Sequence, residues 1–266
     1  MSQFRDTAQT RSDGGRTFDD WAELRPEIRV PGYWDNLTEN CEQWASEVSV
    51  CPLWKAFDKH RPAWRTEFHQ QTGGALLVSD ELPQFCGKKH KRIQTKLRQL
   101  ETGKAPKKAA DMWPSEGPPV PRLHDLVRTR VKCQFLDGVE FIATKLEQLA
   151  TDMDLHYERE RQGRIEGYFA QHLYFTHDVI YRFGGVSQQV TISCEVQFAT
   201  LLASRVWEES HAVYEVWRGR EESQDEWQWN PKEPRFLARQ LGHMIHLADG
   251  LLVQLRDAPP CERIER

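Results

Sequence analysis

Between residues 127 and 135 the chain alternates with a period of two. Val127, Thr129, Val131, Cys133 and Phe135 interleave with Arg128, Arg130, Lys132 and Gln134. This is the pattern of a strand with one covered face, and its other face is basic. Residues 190–198 repeat the pattern with Val190, Ile192, Cys194, Val196 and Phe198 on one side. The opposite side carries Thr191, Ser193, Glu195 and Gln197, a lone carboxylate on an otherwise uncharged polar face. A third segment, 167–180, sets Tyr168 and His172 opposite Phe169, Leu173 and Phe175. If the three strands share one sheet with their apolar faces together, the other face collects three cations, a carboxylate, an imidazole and a phenol. That set of groups suits an anionic, aromatic ligand.

The remaining segments read mainly as helices around this sheet. Residues 1–16 are polar and predict a disordered tail. Residues 17–74 predict a Trp-rich helical extension of three or four short helices, broken at Pro26, Pro31, Pro52 and Pro62, whose tryptophans pack on the main domain. A core over 75–218 follows. It contains a helix at 88–102, a mobile loop at 104–121, a helix at 139–151, a charged loop at 153–163 and a helix at 201–217. The turn Phe183, Gly184, Gly185, Val186 joins the second and third strand segments as an antiparallel pair. Residues 219–266 form an acidic linker and a C-terminal helix at 233–256. The resulting class is α+β, with a partly antiparallel mixed sheet of about five strands flanked by helices and helical extensions at both ends.

Charge narrows the function. The net charge of −4 excludes a generally basic nucleic-acid binder, yet residues 88–108 hold nine Lys or Arg against the single acid Glu101, a local patch able to attract phosphates. The six cysteines show neither a CxxC pair nor metal-ligand spacing, and read as reduced thiols. No apolar run is long enough for a membrane span, and the first residues lack the apolar segment of a signal peptide. A cytoplasmic protein is the expectation. No GxxxxGK[ST] occurs, so a P-loop is not what would hold a nucleotide. His243 and His246 read as packing residues of a helix rather than a zinc pair.

Four short motifs resemble the synthetase domain of the RelA/SpoT family, which transfers pyrophosphate from ATP to the 3′-hydroxyl of a guanine nucleotide. Asp125-Leu-Val-Arg-Thr-Arg130 is similar to D-L-x-G-x-R, and Gly167-Tyr168-Phe-Ala-Gln-His172 to G-Y-x-x-x-H. Glu195-Val196-Gln197 is similar to E-[IV]-Q, and His211-Ala-Val-Tyr214 to H-x-x-Y. The resemblance implies a synthetase-like fold and an ATP-dependent pyrophosphokinase making (p)ppGpp- or (p)ppApp-type products. Asp125 and Glu195 would bind Mg²⁺, with Glu195 also the catalytic base. Lys88, Lys91, Arg92 and Arg130 would bind ATP; Tyr168, His172, Arg164 and Gln197 would bind the acceptor. The chain departs from the family where a Gly becomes Arg128, a Lys becomes Arg164 and an Arg becomes Ala199. Without neighbouring hydrolase or regulatory motifs it resembles a small stand-alone member. Some of these are toxins paired with an antitoxin protein, and some modify the 3′ CCA end of tRNA. A tRNA acceptor and a catalytically inactive nucleotide sensor are therefore the alternative readings. The sequence leaves the oligomeric state open.

Overall fold

The alternating segments do pair, and their order explains the molecule. In the computed structural model, residues 23, 26–102, 123–163, 167–217 and 227–258 are described, with the side chains of 26–27, 97–102, 211–217 and 227 excepted. The five strands are β1 (Cys86–Gly87), β2 (Val127–Cys133), β3 (Tyr157–Gly163), β4 (Phe169–Phe183) and β5 (Val186–Thr200). They form one sheet in the order β1-β2-β5-β4-β3. Only β2 and β5 run parallel; the other neighbours are antiparallel. Among the described residues six α-helices accompany them: α1 (Tyr33–Ser49), α2 (Pro52–Thr72), α3 (His90–Thr102), α4 (Leu136–Asp152), α5 (Leu201–Trp217) and α6 (Pro234–Asp257). The mixed sheet, its flanking helices and the β4–β5 hairpin agree with the sequence reading. Gly184 and Gly185 both have positive φ, 58° and 79°, as a tight two-residue hairpin turn requires.

One face of the sheet builds the core. Val131, Leu173, Phe175, Ile192, Val196 and Phe198 pack with Trp44, Trp54 and Phe57 of the first two helices and Ile142 and Leu146 of α4. Trp44 and Trp54 are fully buried, so the N-terminal tryptophans are structural. Beyond Phe175, β4 has lost its β3 neighbour, and α1 covers the open edge instead. The Asn40 side chain donates to the Arg182 carbonyl at 2.9 Å and accepts from its N–H at 2.9 Å, while Trp44 Nε1–H donates to the Ile180 carbonyl at 2.9 Å. A free strand edge is thereby satisfied by helix side chains. Gly87 is essential to the opposite edge: a Cβ there would stand 2.5 Å from the backbone of Cys41 in α1.

Two expectations are corrected. Residues 153–163 are not a loop throughout, since 157–163 form the edge strand β3. Their charged alternation hid this, because an edge strand can be held by its backbone ladder without an apolar face. Pro62 does not break the extension into short pieces either; α2 runs through it for 21 residues. Its stripe of Leu53, Trp54, Phe57, Trp64 and Phe68 is buried along one side, and that burial outweighs one lost helical hydrogen bond. The tail at 1–16 and the loop at 104–121 lie outside the described residues. Among the described residues no helix is long and apolar enough to cross a membrane.

Candidate functional site

The face of the sheet opposite the core collects the polar and charged side chains that the sequence singled out. Register places Arg128 beside Glu195, Arg130 beside Gln197 and Lys132 beside Ala199 on the parallel β2–β5 pair. On the other side of β5, Tyr174 lies across from Glu195 and His172 across from Gln197. β3 adds Glu160 opposite His172. Since side chains alternate, all of these project to one side. The three strand segments thus bring their polar faces together.

At the centre is Glu195, 5% exposed. Its Oε1 lies 2.7 Å from Nδ1 of His172, itself 5% exposed, and the contact becomes an ion pair when the ring carries its proton. The other ring nitrogen of His172 is 3.0 Å from the Tyr168 hydroxyl, and Nδ1 is also 3.1 Å from the Tyr174 hydroxyl. Tyr174 in turn donates to Glu160 at 3.2 Å. Burial pushes the Glu195 carboxyl upward, but the hydrogen bond and charge of His172 hold it below the ordinary range, against the repulsion of Asp125. Burial, then the charges of Glu195 and Glu160, push the Tyr174 phenol up, so Tyr174 stays protonated; with its proton given to Glu160, its oxygen is left to accept from His172.

Asp125 lies at the entrance to β2. Its carboxylate accepts from Lys88 and, at 2.5 Å, from Lys96. Burial opposes its charge, yet the ammonium groups of Lys96 and Lys88 outweigh burial and hold the carboxyl far below the usual range. Burial in turn pushes the Lys88 ammonium down to about 8 despite the pull of Asp125. Asp125 lies near enough to oppose the Glu195 charge, and both act on the Tyr174 phenol.

The other candidates divide. Arg130 donates through Nε and Nη2 to the Gln197 side chain at 3.1 and 2.8 Å, which joins two sequence candidates directly. Tyr168 packs its ring against Trp207 of α5 at 4.5 Å, tilted by 52°. Lys91 and Arg92 are exposed in the first turn of α3. Arg92 shares a helix face with Lys96 one turn on, whereas Lys91 is rotated away. Arg164 lies outside the described residues, as do the side chains of His211 and Tyr214. His243 and His246 stand against Phe169, with ring centroids 5.4 and 3.8 Å away, as packing residues.

Four participants escaped the sequence reading. Tyr174 follows His172 by two on the same strand face, and Glu160 alternates with Arg159 and Arg161, so period-two spacing carried both signals. Lys96 lies i+4 from Arg92, which helix geometry alone would have flagged. Trp207 had no signal, because its meeting with Tyr168 depends on the angle at which α5 leaves β5.

Among the described residues no group of three or more His, Cys, Asp and Glu forms a metal cluster. Asp125 and Glu195 are both held ionised, and carboxylate oxygens are the donor type that a hard divalent cation such as Mg²⁺ takes.

No protein-family model and no curated protein matches this chain in sequence. Solved structures do match. The small alarmone synthetase 1 of Bacillus subtilis, bound to its product pppGpp, aligns with a TM-score of 0.54 at 14% identity, covering 85% of this chain and 97% of that one. A GTP pyrophosphokinase family protein from Streptococcus pneumoniae aligns with a TM-score of 0.53 at 18% identity, over 84% and 93%. A protein from Streptococcus mutans gives 0.52 at 18%, over 85% and 94%. The chain has the fold of the small alarmone synthetases.

Proposed function

We propose that the protein is an ATP-dependent pyrophosphokinase that transfers the β,γ-diphosphate of ATP to a 3′-hydroxyl of a nucleotide. The observation that carries this reading is the convergence of Glu195, His172, Tyr168 and the Arg128, Arg130, Lys132 row on one sheet face, with Asp125 at the entrance to β2. The fold adds support: the Bacillus subtilis relative with this architecture holds pppGpp as its product.

The acceptor oxygen attacks the β-phosphorus, its bond to that atom forms, the bond between Pβ and the α,β-bridging oxygen breaks, and AMP departs. Glu195, ionised at neutral pH, accepts the hydroxyl proton. His172 holds that carboxylate in place through its 2.7 Å contact. Arg128 and Arg130 meet phosphate oxygens, and the Tyr168 ring offers a surface for the acceptor base. Lys88 and Lys96 exchange Asp125 for the ATP phosphates, which frees its oxygens. Asp125 and Glu195 would hold Mg²⁺, which would supply charge neutralisation to the phosphate chain.

The test is to incubate pure protein with γ-labelled ATP and, separately, GDP, GTP, ADP and deacylated tRNA. Label on one nucleotide acceptor supports the reading. Label on tRNA alone moves the acceptor to the tRNA 3′ end, and label on none removes the enzyme reading. A growth-inhibiting role, with an antitoxin partner, follows from the sequence resemblance alone. Growth arrest on induced expression, relieved by Glu195→Gln, is its test.

A further inference from the structure

Tyr168 stands just outside the strand pairing. β4 pairs with β3 from Phe169 onward and with β5 from Gln171 onward, so Gly167 and Tyr168 precede both ladders. Helix α6 holds this segment instead. Gly242 of α6 and Gly167 meet backbone to backbone: a Cβ on Gly242 would stand 2.8 Å from the Gly167 carbonyl carbon and 3.0 Å from its Cα. A Cβ on Gly167, whose φ is +77°, would stand 3.2 Å from both the Arg239 carbonyl carbon and the Gly242 Cα. Two residues on, the His246 ring stacks on Phe169 at 3.8 Å, with His243 edge-on at 5.4 Å. The residues on either side of Tyr168 are therefore both gripped by α6. The Tyr168 side chain, opposite Phe169 in the alternation, meets His172 through its hydroxyl and Trp207 through its ring.

An element positions its neighbour only if it is itself fixed. A helix on a folded domain ordinarily turns its apolar stripe inward, but α6 buries Arg239, Gly242 and Asp249 and leaves Leu237, Met244, Leu247 and Leu255 exposed. Its anchors are polar. Asp249 accepts from the Thr200 hydroxyl, whose oxygen accepts from the Ala203 N–H at 3.0 Å in the first turn of α5, the helix that carries Trp207. Near the far end Arg256 donates to Asp137 of α4 at 2.6 Å. Hydrogen bonds are directional where apolar contact is not, so these anchors fix the rotation and axial position of α6.

We propose that α6 is the positioning element of the acceptor subsite, with Gly242 and the Arg239 backbone setting, through Gly167, where the Tyr168 ring stands. This rests on the pyrophosphokinase reading, in which that ring carries the acceptor base. A methyl at position 242 pushes Gly167 away by roughly 1 Å, the gap between 2.8 Å and a carbon–carbon contact of about 3.5–4.0 Å. A misplacement of that size costs about 10- to 100-fold. The groups proposed for ATP stand on other elements, so the loss falls on the acceptor.

The experiment compares Gly242→Ala with Gly250→Ala in the full chain. Gly250 lies on the same helix, but a Cβ there meets nothing within 4 Å, so it controls for an added methyl. Initial rates are measured with γ-labelled ATP and whichever of GDP, GTP, ADP and deacylated tRNA the wild type labels. Gly242→Ala raises the KM for that acceptor by about tenfold or more, with the KM for ATP within about twofold of wild type; Gly250→Ala matches wild type in both. Mere loss of folded enzyme would lower kcat and leave both KM values alone. A second readout needs no variant. Coupling is reciprocal, so saturating acceptor slows amide exchange over residues 239–246 of the wild type, and ATP alone does not; this readout decides if Gly242→Ala fails to fold. An active wild type whose acceptor KM is unmoved in folded Gly242→Ala, or whose exchange over 239–246 is unmoved by acceptor, overturns the proposal and leaves the enzyme reading standing. Label on no acceptor removes the enzyme reading and this proposal with it.

Discussion

Asp125→Asn tests the ion cluster that the structure builds at the entrance to β2. Asp125, Lys88 and Lys96 have side chains 15%, 10% and 24% exposed, so solvent screens them little. Removing the carboxylate charge leaves two ammonium groups around a neutral amide. Breaking such a pair on one side costs about 3 kcal/mol. The pH dependence identifies the cause. Lys88 carries its proton below about 8 in the folded chain, against a reference value of 10.5. Between those values the unfolded chain binds the extra proton, so stability from this group rises with pH. Without Asp125 the folded value falls further, and the rise begins at lower pH. Each unit of that further fall adds about 1.4 kcal/mol to the variant's deficit near pH 6, and that part is gone by about pH 9. Urea unfolding of both proteins across this range is the assay. A deficit below about 0.5 kcal/mol, or one that does not shrink with rising pH, refutes the cluster.

Three further outcomes follow from the same geometry. The kcat/KM for ATP falls above about pH 8 as Lys88 loses its charge, and Lys88→Arg moves that limb to higher pH; an unchanged profile separates Lys88 from ATP. Gly87→Ala forces a Cβ to within 2.5 Å of the Cys41 backbone, so a loss of about 2 kcal/mol or more is expected, and a melting curve matching wild type contradicts the close approach of β1 and α1. Cys86 is exposed, whereas Cys41, Cys51, Cys133 and Cys194 are buried, and burial pushes the Cys41 thiol up to about 12. In the native protein a maleimide therefore modifies Cys86 before those four, as peptide mapping by mass spectrometry reads; early modification of Cys133 or Cys194 would place the β2–β5 core wrongly.

What the sequence disclosed follows a physical divide. Alternation over 127–135, 167–180 and 190–198 revealed which residues share a face, because a strand's period transmits directly into space. The Glu195 and His172 contact, 23 positions apart in sequence, followed from pairing two such strands through the Gly184 and Gly185 turn. Residues held by tertiary angles were not legible. Trp207 reaches Tyr168 only through the packing of α5 beside the start of β4, and the Asp125 cluster needs the approach of α3. β3 was hidden for a different reason: Glu158, Arg159, Glu160 and Arg161 are all charged, and its place is set by backbone pairing with β4. The reversed polarity of α6 was likewise invisible, since a stripe of leucines at helical spacing reads as an inward face until its neighbours are known.

The central claim is that Glu195 takes the acceptor proton on this sheet face. Glu195→Gln keeps the size of the side chain and removes its basicity. With labelled ATP and the acceptor identified for the wild type, transfer falls by roughly 10³-fold while ATP still binds and the variant remains folded. Transfer at the wild-type rate by that variant would contradict the account.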